Sequence, residues 1–178
     1  DEDRIRKELE KAHKETREES EKLNRDVERV LREVRKASKD LNDKFEEELR
    51  KLREKVERDL PPDDEERRDE EEAKKTRDEA RREHEKTEEE ARRLREEAER
   101  RHRRYTEKEK RIRDKIRKDG VDRDKVEEDL RRSRKELEDY ARDLEDAIRR
   151  IEDRLRRYAR KLEEDIKRLA RKLEERER

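Results

Sequence analysis

Three histidines, three tyrosines and a few serines, threonines and asparagines are the side chains here whose chemistry goes beyond bulk charge. His102 and Tyr105 stand in the run RRHRRY, residues 100–105. Arginine beside an aromatic can stack on nucleobases while neutralising phosphate. Histidine beside serine is part of a hydrolase constellation. His84, in REHEKT at residues 82–87, opens what could be a helical metal motif. Spacing argues against each. REHEKT lacks the second histidine that a zinc-binding HExxH helix needs. His84 and His102 are 18 residues apart, roughly 27 Å along a helix, and cannot share an ion. The residue that joins Ser and His in the pattern below is tyrosine rather than a carboxylate, and no oxyanion device is visible. The expectation is no enzyme, no catalytic residue, no metal and no cofactor.

Composition narrows the field further. The 178-residue chain is 69% charged and 23% hydrophobic, with 61 basic and 61 acidic residues. Low hydrophobicity favours disorder only when net charge is high; here it is zero, and the charged residues are good helix formers. Balanced charge supplies no global field for nucleic acid or anionic lipid. No apolar run approaches the ~20 residues of a membrane span. The chain has no Cys, Met or Trp, so thiol chemistry is excluded. We expect a soluble protein with no native address, of the kind made by recombinant cytoplasmic expression.

The elements that hold the histidines are bounded by two junctions. DLPPDD, residues 59–64, places two prolines where a helix must stop near Leu60. Asp63 can then cap a second helix, with Glu66 completing a capping box. In KDGVDRDKV, residues 118–126, Gly120 suits the left-handed C′ position and Asp122 the next N-cap. Val121 and Val126 have the spacing of a hydrophobic staple. Three helices follow, over about 2–60, 63–119 and 122–177, each roughly 80–85 Å long at 1.5 Å per residue. Short connections make neighbours antiparallel. The fold class is all-α, a single-chain up-down-up three-helix bundle forming one domain over 1–178.

The apolar stripe repeats every 18 residues. Val126, Leu144 and Leu162 align, as do Leu130, Ile148 and Ile166, Leu9, Val27 and Phe45, and Thr76, Leu94 and Ile112. A heptad fails, because it soon puts Arg154 in register with Tyr140. Eighteen residues are five turns of 3.6, a period that demands supercoil of neither hand. Nearly straight helices are expected.

Antiparallel hairpins pair residues whose numbers have a constant sum, near 122 for the first two helices and near 242 for the last two. On this register Leu31, Ala91 and Ile151 share a layer, and Leu49, Ala73 and Leu169 form its copy. The polar residues fall into layers too. Ser20, His102 and Tyr140 meet, and one repeat away so do Ser38, His84 and Tyr158. Asn24 faces Ala98 and Leu144; Asn42 faces Ala80 and Leu162. Thr16, Tyr105 and Leu137 form a neighbouring layer, and His13, Glu109 and Ser133 a third polar one. A buried imidazole needs partners on both ring nitrogens, and Ser and Tyr hydroxyls can supply them. Such layers penalise slipped registers by burying unpaired polar groups. The expected site residues are therefore structural.

On this register the arginines of RRHRRY cover solvent. The second helix is also polarised: residues 63–90 carry net −7 and residues 91–120 net +7, which matches the helix dipole. No second apolar face appears, so a monomer with no partner, nucleic acid or membrane is expected. The 18-residue stripe, the layered trios such as Ser20/His102/Tyr140, and the LPPDDEE and KDGVDRDK junctions resemble those of de novo designed helical bundles built on parametric backbones. The resemblance covers the whole chain and is one of style rather than of a family motif. It implies a stable scaffold without evolved activity. Spectrin-type repeats share the three-helix architecture but carry tryptophans and have helices about half this length, so a natural spacer or coiled-coil interaction protein is the alternative. Two further readings are a pH-responsive binding module working through His13, His84 and His102, with Glu109 opposing the effect at His13, and one extended helix held by i,i+4 ion pairs.

Overall fold

The computed structural model describes residues 1–56 and 64–177. It is all-α, with three long helices packed against one another: α1 Glu2–Val56, α2 Asp64–Arg117 and α3 Arg123–Glu177. The proline junction, with the expected stop near Leu60 and the Asp63 cap, lies outside the described residues.

The second junction shows how local sequence ends one helix and starts the next. Gly120 has φ +71°, a left-handed conformation that costs an L-residue with a Cβ but not glycine. Asp122 accepts the Lys125 backbone N–H at 3.3 Å as the N-cap of α3. Val121 packs on the cluster that contains Val126, closing the staple. The start of α1 completes this end. Arg6 donates through Nε to the Ile116 carbonyl at 2.9 Å and through Nη2 to the Lys118 carbonyl at 3.3 Å. These are acceptors that the end of α2 leaves without intrahelical donors. Glu2 accepts the Gly120 N–H at 2.8 Å, and this contact holds its carboxyl below the usual range, with the Val121 amide and Arg6 adding to the effect.

The chain forms two compact units, each taking a part of all three helices. One comprises Asp1–Arg32 and Arg92–Ile148, the other Glu33–Ala91 and Arg149–Arg178. In the first, Leu9, Ile112, Ile116, Val126 and Leu130 make a buried cluster flanked by Ile5, Ala12 and Val121. In the second, Phe45, Ala80 and Leu162 are buried together with Leu41, Tyr158 and Ile166 against them. Phe45 is 1% exposed. A cavity at such a site costs about 3–5 kcal/mol for Phe→Ala, so a few of these positions account for much of a typical margin of about 5–15 kcal/mol.

Burial itself has the 18-residue period. It recurs at Leu9, Val27 and Phe45, and at His13, Leu31 and Leu49 in α1. In α2 it recurs at Asp69, Thr87 and Tyr105, and at Ala80, Ala98 and Ile116. In α3 it recurs at Val126, Leu144 and Leu162, and at Ser133, Ile151 and Leu169. His13, Glu109 and Ser133 thus stand where the other repeats hold Leu, Ala and a branched aliphatic residue.

Candidate functional site: the polar core layers

In the second unit, Ser38 and His84 meet across α1 and α2. Ser38 Oγ lies 2.8 Å from His84 Nδ1. Ser38 is buried and His84 half-buried, so the bond satisfies groups that water reaches poorly. Tyr158 does not close the trio. It packs on the Phe45 cluster, and its buried hydroxyl finds no hydrogen-bond partner among the described residues. Burial pushes that phenol well above its ordinary pKa, and Glu79 and Glu83 add to the effect.

The equivalent trio in the first unit is assembled differently. Ser20 and Tyr140 are buried and His102 is half-buried, yet His102 Nδ1 and the Tyr140 hydroxyl lack partners among the described residues. Tyr140 is held through its ring, with the Arg101 guanidinium carbon 4.5 Å from the centroid. A cation over the ring face is favourable and fixes the phenol from the flank rather than through its oxygen. The two sequence copies therefore share positions but not hydrogen bonds. Ser38 and His84 bond in one unit, and Ser20 and His102 have no such bond in the other.

Four threonines bond within their own helices. Thr16, Thr76, Thr87 and Thr106 donate to the carbonyls four residues back, at 3.1, 3.0, 3.0 and 2.9 Å. This i−4 bond is the ordinary resource of a core threonine, and in Thr16 it commits the hydroxyl proton to α1. Tyr105 and Leu137 are buried as the layer requires. Burial pushes the phenols of Tyr105 and Tyr140 up to about 12. Asn24 and Asn42 are half-buried, and Asn42 Oδ1 has no partner among the described residues.

His13 is 7% exposed and Ser133 is buried with it. Burial lowers the His13 pKa, and the cations Arg17, Arg113 and Arg117 lower it further. Opposition comes from the backbone of Glu109, a hydrogen-bonding contact that raises it. The Glu109 carboxyl is itself raised by burial, which weakens it as a counter-charge.

RRHRRY separates cleanly. Arg100, Arg103 and Arg104 are exposed, Arg101 covers Tyr140, His102 is half-buried and Tyr105 is buried. Sequence reasoning missed the charged residues that join helices. Arg35 places Nε and Nη2 at 2.9 and 2.7 Å from one Glu88 oxygen, and this contact raises the arginine's already high pKa. Arg154, noted in sequence only as a break in the heptad, reaches Glu90, Glu83 at 3.4 Å and the fully buried Thr87 hydroxyl at 3.3 Å. The same constant-sum register that ordered the core would have paired Arg35 with Glu88.

No group of three or more acidic, histidine or cysteine side chains among the described residues is arranged to hold a metal ion. Among the same residues, no helix is long and apolar enough to cross a membrane. Comparison with protein-family models, curated proteins and solved structures gives no match for this chain.

Proposed function

We propose that the chain is a structural scaffold, a monomeric helical bundle of designed type whose polar core residues mark register rather than perform chemistry. One observation carries this reading: burial recurs every 18 residues on all three helices, at polar as well as apolar positions. A catalytic or ligand site differs from its surroundings, whereas here Ser20 and His102 have counterparts one repeat away in Ser38 and His84. A buried polar group is tolerated only where a partner or solvent meets it, so displacement by a turn or two would strand it. The reading assigns no enzymatic role, cofactor or nucleic-acid partner. A natural helical spacer is the second reading, favoured by the same repetition.

Sedimentation and thermal melting of the parent chain and of a His84→Leu/His102→Leu variant test the proposal. The parent should sediment as one chain and melt at high temperature. The variant should remain helical but gain extra oligomers or alternative packings. A parent that self-associates would favour an interaction protein. A variant with the parent's single species would remove the register role.

A further inference from the structure

The repeat creates a hazard for itself. Stepping 18 residues back along α2 and 18 forward along α3 carries the His102/Tyr140 layer onto the His84/Tyr158 layer, and Ala98/Leu144 onto Ala80/Leu162. An α3 from a second copy, displaced by one repeat, would thus meet nearly the same core positions. Neither the apolar stripe nor the polar trios distinguish that pairing from the native one.

The ion pairs along the α2–α3 seam do. Glu72 pairs with Lys172 at 3.2 Å, Glu90 with Arg154, and Lys108 with Glu136. Each pair lies one repeat from the last on both helices, so all three occupy the same seam position. The third has the opposite polarity. Pairs off that row divide the same way between the units: Glu79 pairs with Lys161 at 3.4 Å, whereas Lys115 pairs with Asp129 at 2.7 Å. In one unit α2 supplies the anions and α3 the cations; in the other the roles are exchanged.

We propose that this sign change guards against the one-repeat slip that the core tolerates, and that what it rejects is a second copy of the chain paired one repeat out of step. Displacement in one direction sets Lys108 against Arg154. Displacement in the other sets Glu90 against Glu136. Each exposed native pair adds little stability, but like charges at a contact specify against the wrong partner. The device serves a designed scaffold and a natural spacer equally.

The test makes the seam uniform. In the full chain, Lys108→Glu, Lys115→Glu, Asp129→Lys and Glu136→Lys together preserve every native attraction and the net charge, while removing the sign change. Sedimentation velocity from micromolar to millimolar concentration should show a dimer fraction roughly tenfold above the parent's, equivalent to about 1.4 kcal/mol. High salt should abolish the difference, because exposed charges are screened. An unchanged dimer fraction overturns the proposal, and so does an increase that persists in high salt. If circular dichroism shows that the fourfold variant has lost helicity, the Lys108→Glu/Glu136→Lys exchange is read instead. There too a salt-sensitive rise supports the proposal, and an unchanged or salt-resistant dimer fraction overturns it. The scaffold reading fails on the parent alone; this proposal fails only on the comparison of parent with variant.

Discussion

Ser20 and Ser38 are the same residue, one repeat apart, in different circumstances. Ser38 holds the Nδ1 of His84; no bond joins Ser20 to His102, whose own Nδ1 is unpartnered among the described residues. Removing one partner of a buried hydrogen bond leaves the other desolvated and unpaired, at a cost of about 1–3 kcal/mol. Ser38→Ala should therefore lower the urea-unfolding free energy by about that amount, whereas Ser20→Ala should cost less than about 0.5 kcal/mol. Equal losses for the two variants, at unchanged m-values, would mean that the Ser38–His84 bond is not what distinguishes the layers. The meeting of Ser38 with His84 was legible in sequence because both helices share one period. Which copy bonds was not, because side-chain direction depends on neighbours such as Arg101 that come from outside the layer.

At the scale of the element, the helices are long because nothing interrupts them between junctions, and they end where the backbone must leave the helix. Gly120 is the clearest case. A Cβ built there meets nothing within 4 Å, so replacement carries no clash and the whole penalty is conformational. Gly120→Ala should lower stability by roughly 1–2 kcal/mol, the cost of a left-handed conformation for an L-residue. Gly120→Asn should cost clearly less, since asparagine visits that region more readily. Thermal melts of the two variants check this; an alanine variant as stable as the parent would show that the turn relaxes out of the left-handed region. The glycine and the Asp122 cap were readable from local sequence. The Arg6 and Glu2 contacts that close the same junction were not, because those residues lie more than 100 positions away in the chain.

At the scale of the whole molecule, net charge is zero and most ion pairs are exposed, so pH acts chiefly through the few buried titratable groups. His13 has a folded pKa below its ordinary value, so its contribution is present above about 6.5 and is lost as pH falls through the folded pKa. Tyr105 and Tyr140 act in the opposite direction. Their folded values near 12 exceed the ordinary value of about 10, so their contribution is present below about 10 and is lost as pH rises towards 12. The denaturant midpoint should fall on both sides of a neutral plateau. His13→Leu should flatten the acid limb and leave the alkaline one in place. An acid limb that is identical in parent and variant would assign acid sensitivity to other groups.

The sequence by itself determined the elements and their spacing. Helix formers, two junctions and an 18-residue stripe dictate three helices whose buried residues recur in step, because helical geometry is local and its period is written in the residue order. Only the tertiary structure decided which polar groups bond and which ion pairs form. The Nδ1 of His84 gained a partner while that of His102 has none among the described residues, and Lys108 met Glu136 where one repeat earlier Glu90 met Arg154. Those outcomes depend on side chains converging from separate helices, where burial, reach and the sign of the facing charge compete. The chemistry first suggested by RRHRRY resolves in the same way. Period and burial turn its histidine and Tyr105 towards the core, while Arg101 is claimed by the ring of Tyr140.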